Sequence, residues 1–227
     1  MYLYETHMHT YPSSACAAVT PEQQVKFYKS KGYAGIIITD HFLNGNTGCP
    51  HGLSWEKKIN FFYDGYRRAK KAGEKNELDV FFGMEYGISG LDFLVYGISL
   101  EFLLENPGFD KLGLKNFSAK VRDAGGYIAQ AHPFRQGFWI PSPGAVSPEF
   151  IDGIEVYNAS MPESVNRPAL AYAKRHNLAK QAGSDSHDTY ALKPSGISLQ
   201  KRAESIFDII SVLKAGQANL LCPFGTN

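Results

Sequence analysis

Five histidines in this chain stand just past short apolar runs. His7-Met8-His9 follows Tyr2-Leu3-Tyr4, Asp40-His41 follows Ile36-Ile37-Ile38, and His132 follows Tyr127-Ile128-Ala129. Asp185-Ser186-His187 follows Ala179 to Ala182, and Glu85 closes the run Val80-Phe81-Phe82-Gly83-Met84. Side chains alternate along an extended strand, so His7 and His9 share one side, as do Asp185 and His187. Imidazoles mixed with carboxylates, with no cysteine among them, suit Zn²⁺, Mn²⁺ or Fe²⁺ better than an all-oxygen Mg²⁺ or Ca²⁺ site. The donors outnumber what one tetrahedral ion uses, which points to at least two ions with Glu85 as the bridging carboxylate. Two ions about 3.5–4 Å apart share a hydroxide and clamp the oxygens of a phosphoryl group. Each piece alone has a plain structural reading: Asp40-His41 as a hydrogen-bonded turn, His132 before Pro133 as a buried, satisfied ring. Together they carry weight, because unrelated structural histidines have no reason to gather at strand exits. His51, in a loop, and His176, at a helix end, look ordinary.

The elements that must position these residues alternate along the chain. Seven strands are expected around Tyr2–Tyr4, Ile36–Ile38, Val80–Phe82, Phe93–Tyr96, Tyr127–Ala129, Ile154–Tyr157 and Ala179–Ala182. Helices are expected from Pro21 to about Lys31, capped by Thr20, from Trp55 to Ala72 with Gly73 as the stop, from about Phe109 to Ala124, from Glu163 to His176, and from Ile206 to Leu213. The continuous β-branched run Ile36-Ile37-Ile38 reads as a strand covered on both faces. Such alternation predicts an α/β fold with a mainly parallel sheet and right-handed crossovers. The expectation is one domain over residues 1–227, a small or distorted (β/α) barrel, with an open α/β sheet as its competitor. In both, residues at the C-terminal ends of parallel strands converge on one face. The stretch from Phe134 to Pro148 reads as a loop over that face.

Composition narrows the partners. The 227 residues suit one barrel, and 44% hydrophobic with 20% charged residues is globular. Lys+Arg 23 against Asp+Glu 22 leaves a net charge of +1, without the basic excess that argues for a nucleic-acid partner. No apolar run is long enough to span a membrane, and no signal pattern opens the chain. Three scattered cysteines, Cys16, Cys49 and Cys222, predict a reducing, cytoplasmic setting rather than a disulfide framework. Cys49-Pro50-His51 holds too few ligand types for a zinc site. Neither a dinucleotide-binding glycine fingerprint nor a phosphate-cradling loop is present.

The ordered segments Glu5-Thr6-His7-Met8-His9-Thr10, Ile38-Thr39-Asp40-His41, Gly83-Met84-Glu85, Ala131-His132-Pro133-Phe134-Arg135, Gly153-Ile154-Glu155-Val156-Tyr157-Asn158 and Gly183-Ser184-Asp185-Ser186-His187 resemble the motifs of the PHP (polymerase and histidinol phosphatase) family of metal-dependent phosphoesterases. The resemblance implies a distorted seven-stranded (β/α) TIM-like barrel with two or three divalent transition-metal ions. It makes His7, His9, Glu85 and Asp185 ligands of a first metal, Glu85 and His132 ligands of a second, and His41 and His187 ligands of a third. Two departures stand out. The histidine or acidic residue that the family often places six positions after its second histidine is Ala15 here, flanked by Ser14 and Cys16, which leaves the third site incomplete or weak. The second-metal histidine expected soon after the glutamate is missing, and Asp92 takes its place, favouring Mn²⁺ or Fe²⁺.

The expected reaction is in-line attack on a small phosphomonoester, a phosphorylated metabolite or nucleotide, by a metal-bridging hydroxide. Glu85 and Asp185 are its catalytic carboxylates, and Arg135 is placed to hold the phosphate bidentately. Asp40 is expected to orient His41, and Glu5 to support the first motif. Glu155 and Asn158 have a pocket role and a core-edge role in balance, while Phe134, Phe138 and Trp139 are ring-stacking candidates. Two other classes remain open: an amidohydrolase-type metal hydrolase, and a metal-binding PHP module without turnover. Elemental analysis of gently purified protein should find at least two transition-metal equivalents per chain; active protein free of metal contradicts the assignment.

Overall fold

A computed structural model describes residues 1–190 and 195–223. The strands are β1 (Tyr2–Glu5), β2 (Gly35–Ile38), β3 (Asp79–Ile88), β4 (Leu91–Tyr96), β5 (Tyr127–Ala131), β6 (Gly153–Asn158), β7 (Ala179–Gly183), β8 (Ile197–Leu199) and β9 (Asn219–Leu220). The α-helices are α1 (Pro21–Ser30), α2 (Trp55–Asn76), α3 (Leu100–Glu105), α4 (Leu114–Asp123), α5 (Glu163–His176) and α6 (Ile206–Lys214). One sheet runs in the order β7-β6-β5-β4-β3-β2-β1-β8-β9. Beyond its last formal strand pair the sheet nearly closes on itself. Met8 bridges Ser186 in parallel, His9 N donates to Ser186 O at 2.9 Å, and Asp185 N donates to His7 O at 2.8 Å. The first seven strands therefore form a barrel-like ring joined at its mouth.

Several expectations change. The sheet has nine strands rather than seven, because β8 and β9 are too short to register as apolar runs; β8 pairs antiparallel with β1, and β9 with β8. β4 runs antiparallel to both neighbours. Ser89 (φ 52°) and Gly90 (φ 82°) form a two-residue turn whose positive φ angles match the twist of a hairpin, so β3 folds straight back into β4. β3 is also longer than expected, ten residues rather than three. Its first half pairs with β2 and its second half with β4, so Glu85 lies inside the strand and not past its end. The helix expected from Phe109 to Ala124 is instead a single 3₁₀ turn at Phe109–Lys111 followed by α4, and α3 is not among the expected helices. α2 runs through Gly73, whose missing Cβ lets Leu78 and Val80 pack close, and stops at Glu77 in the left-handed conformation.

Burial follows the residue pattern. Ile36 and Ile38 pack with Val25 and Tyr28 of α1 and Ala69 of α2, while Ile37 packs with Tyr4, Leu94 and Tyr96, so β2 is covered on both faces. α6 sets Ile209, Ile210 and Leu213 into that second cluster with Phe81 and Tyr127. α1 begins with a capping box between Thr20 and Gln23, with Pro21 in its first turn.

Glu5 joins these elements. It is fully buried, and its Oε1 accepts from the backbone N–H groups of Thr6, His7 and Ser184, each at 2.9 Å. Its Oε2 accepts from Ser195 Oγ at 2.9 Å and Tyr28 OH at 3.3 Å. Burial raises its pKa, and the N–H bonds from His7 and Ser184 offset only part of that. Glu5→Ala would strand three backbone donors and leave a cavity, a loss of about 3–5 kcal/mol in urea unfolding. Glu5→Gln should retain most of the stability, because its amide oxygen still accepts and its NH₂ donates to the two hydroxyls. An alanine variant within about 1 kcal/mol of the parent would refute this role.

Candidate metal centre

β1 runs out of regular pairing at Glu5, and the extended segment beyond it keeps the alternation: Met8 turns outward to Ile36 and Ile38, while His7 and His9 turn inward. β7 delivers Asp185 and His187 beside them, β2 delivers His41, β3 Glu85 and β5 His132. Gly183 is the close-packing point of this seam; a Cβ there would stand 2.5 Å from His7 Cβ and 2.8 Å from Glu155 Oε1. Two ligand-bearing positions have left-handed backbone, His132 (φ 27°) and Asp185 (φ 55°). Such conformations cost about 1–3 kcal/mol each for non-glycine residues and persist where surrounding bonds impose them. Here the His132 N–H is held by Glu155 Oε2 at 3.0 Å and the Asp185 N–H by the His7 carbonyl.

Glu85, 1% exposed, occupies the centre. Its Oε1 lies 3.3 Å from His7 Nε2 and 3.2 Å from His132 Nε2; its Oε2 lies 3.4 Å from His9 Nε2 and 2.7 Å from His41 Nδ1. Asp185 Oδ1 faces His9 Nε2 at 3.2 Å and His7 Nε2 at 3.6 Å, and Oδ2 faces His132 Nε2 at 3.8 Å. Three groups present donor atoms within 4.8 Å of one another: His7, Glu85 and His132; His7, His9 and Asp185; and His9, His41 and His187. All seven residues are among those the sequence singled out. Asp92 falls outside these groups. Its Oδ2 accepts from Arg135 Nη2 at 2.5 Å, and burial followed by the charge of Glu85 pushes its carboxyl up to about 6. Arg135 itself approaches the Trp139 ring at 6.0 Å.

The surrounding hydrogen bonds decide which ring nitrogens face inward. His7 Nδ1 donates to Glu155 Oε1 at 2.9 Å. His9 Nδ1 donates to Ser14 Oγ at 3.1 Å, because Ser14 gives its own proton to Asp40 Oδ1 at 2.8 Å. With both Nδ1 protons committed outward, the neutral rings aim two Nε2 lone pairs at each other across 3.3 Å and at the carboxylates of Glu85 and Asp185. A cation among the donors relieves that repulsion, and without a metal a proton does so: burial opposes it, but Glu155, Asp185 and Glu85 hold the His7 pKa well above the usual range. His41 Nδ1 and Glu85 Oε2, both buried, stand 2.7 Å apart as an ion pair. Imidazoles and carboxylates converging with opposed lone pairs fit a bound divalent metal. The charges respond to this crowding. Burial opposes ionisation of Glu85, but His41 and His7 hold it well below the usual carboxylate range. Burial and then His41 push His9 down to about 3.

Some supporting residues differ from expectation. Asp40 does not orient His41 directly. Its carboxylate takes the Thr10 N–H at 2.5 Å, the Thr10 hydroxyl at 2.6 Å and Ser14, and through Ser14, whose Oγ also accepts the His41 backbone N–H at 2.9 Å, it supports both His9 and His41. Glu155 has no solvent exposure and holds both His7 and His132, while Asn158 Nδ2 bonds Glu155 at 2.9 Å and reaches Asp185 at 3.4 Å. The sequence offered one sign of this, an acidic residue inside the apolar stretch Gly153 to Asn158, but nothing in the one-dimensional pattern pairs it with His7. Cys16 lies with its Sγ 3.1 Å from His187 Nε2. Burial pushes that thiol up, but hydrogen bonds with His187 and His41 outweigh it and bring the pKa down to about 6.

Glu155→Ala should lower metal affinity about 10–100-fold by releasing His7 and the His132 backbone, with the fold kept; equilibrium dialysis against a chelator measures it. Unchanged affinity would mean that Glu155 orients nothing.

No protein-family model and no curated protein sequence matches the chain. Solved structures do. Over 96% of its length the chain aligns with 64% of a two-domain protein from Bacteroides vulgatus containing a predicted PHP-like metal-dependent phosphoesterase, at 17% identity and a TM-score of 0.73. An amidohydrolase from Chromobacterium violaceum aligns over 97% of this chain and 98% of its own, at 16% identity and a TM-score of 0.57. A lesion-specific endonuclease from Pyrococcus furiosus aligns over 96% of this chain and 57% of its own, at 12% identity and a TM-score of 0.60. The chain thus spans less than two thirds of the Bacteroides and Pyrococcus proteins. At these identities the likeness is one of fold, and the fold is that of the PHP-like metal-dependent phosphoesterases.

Proposed function

We propose that this chain is a PHP-family metal-dependent hydrolase that cleaves a small phosphomonoester in the cytoplasm. The observation that carries the reading is the pair of inward-facing Nε2 atoms of His7 and His9, locked by Glu155 and Ser14 and set against Glu85 and Asp185. Such a donor set holds divalent cations, with His7, His9 and Asp185 on one side, Glu85 and His132 on another, and His41 and His187 toward the rim. Bound divalent ions would supply Lewis acidity toward phosphoryl oxygens and a lowered pKa for water.

The chain's own residues do the rest. Glu155, Ser14 and Asp40 fix which ring nitrogen of each of the two leading histidines faces inward. Glu85 contacts four imidazoles and is the natural bridge between neighbouring cation positions. Arg135 shares one Nη with Asp92, while its buried Nε has no hydrogen-bond partner among the described residues, leaving a charged donor for a phosphate oxygen. A net charge of +1 suffices for an anionic substrate when cations sit in the mouth. Disulfide-free cysteines among the described residues are consistent with a reducing compartment.

A panel of phosphorylated metabolites, aryl phosphate, single-stranded oligonucleotides and amides, each run with Mn²⁺, Fe²⁺ and Zn²⁺, tests the assignment. Phosphomonoester turnover is expected, falling more than about 100-fold in Glu85→Gln with unchanged circular dichroism. Turnover confined to amides or to oligonucleotide cleavage, or Glu85→Gln activity close to the parent, would overturn it.

A further inference from the structure

The loop after β1 carries Cys16 back to the rim of the centre and is pinned on both sides of it. Ala15 N donates to Asn46 O at 2.9 Å, and Ala18 N donates to His187 O at 2.9 Å. That tether holds Cys16 Sγ 3.1 Å from His187 Nε2. The His187 ring gives its Nδ1 proton to the Asp185 carbonyl at 2.8 Å, so in the neutral ring Nε2 presents a lone pair to the sulfur. Across the same space stands His41, whose Nδ1 lies 2.7 Å from Oε2 of Glu85. The His9 ring stacks on His41 and on His187, each at 4.4 Å, and the three rings form one of the three donor groups of the centre. Ala15 offers no donor atom to this group, whereas the next residue places a sulfur 3.1 Å from one of its rings, that of His187.

We propose that Cys16 is a thiolate ligand of the outermost metal position, completing with His41 and His187 a nitrogen–sulfur site. The proposal rests on reading the centre as metal-binding. Its consequence is a division of metal preference within one cluster. Thiolate selects zinc-like ions, while the inner positions, each joining two histidines with a carboxylate, also accept Mn²⁺ or Fe²⁺. On binding, one metal–sulfur bond forms and the thiol proton passes to solvent, with no change of oxidation state. A structural thiol hydrogen-bonded to His187 would make no such bond.

Cobalt(II) reports the difference. The metal-free full-length protein titrated with Co²⁺ should develop a near-ultraviolet thiolate-to-cobalt charge-transfer band. Cys16→Ser should lose that band and one equivalent of tightly bound cobalt, keeping the visible bands of the inner ions. A parent protein that binds cobalt without the band, or a Cys16→Ser protein with the same spectrum and stoichiometry, overturns the proposal and leaves the metal centre standing. A parent protein that binds no cobalt overturns both. Alkylation followed by peptide mass analysis gives a readout needing no variant: Zn²⁺ should protect Cys16 at least 10-fold while Cys49 stays unprotected, and equal labelling of Cys16 with and without Zn²⁺ counts against the ligand role.

Discussion

The pairing of two irregular strand ends governs this molecule. Residues 7–9 after β1 and residues 185–187 after β7 lie side by side through the Met8–Ser186 bridge and its flanking backbone hydrogen bonds. Neither segment belongs to a long strand, so sheet propensity alone does not hold them together. Glu5 does, by collecting backbone N–H groups from both sides of the seam on one carboxylate oxygen. A buried charge is costly, and it is tolerated here because five donors surround it. Gly183 allows the two chains to approach closely enough for His7 to lie over β7.

Once the seam is closed, His7, His9, Glu85, His132 and Asp185 lie buried together at the mouth. Glu85 and Asp185 face four inward imidazoles, and a second ring of polar groups behind them sets the orientation. Glu155 serves two ligands from β6, and Asp40 serves His9 through a serine relay. These outer carboxylates have their lone pairs filled by N–H and O–H donors, so they stay out of the centre itself. The inner carboxylates lack that saturation, which distinguishes a ligand from a group that positions one. Asp92 belongs to neither set cleanly, since Arg135 claims it.

Much of this was legible in the chain. The triplet Ile36–Ile38 announced a strand buried on both faces, Thr20-Pro21 announced a capped helix, and the histidines past apolar runs announced a convergent centre. What escaped has identifiable causes. β8 and β9 are three and two residues long, below what alternation can register. The reversal of β4 hung on Ser89-Gly90 adopting positive φ, and a serine there carries little signal. The length of β3 was obscured because Gly83, Glu85 and Gly87 interrupt its apolar run. Glu155 is 148 residues from His7, and its role exists only where β6 passes beneath the ring.

Residue chemistry and period were therefore determined locally: which side chains bind cations, which share a side of a strand, where helices start. Tertiary structure decided the pairings. It committed the Nδ1 protons of His7 and His9 outward, joined Asp40 through Ser14 to His9 as well as to the His41 backbone, gave Asp92 to Arg135, and brought Cys16 to His187 where position 15 offered nothing. The reason is physical. Type and spacing are properties of the backbone's own repeat, whereas a hydrogen bond or a coordination contact depends on distances of about 3 Å between atoms far apart in sequence. Only the packed sheet sets those distances.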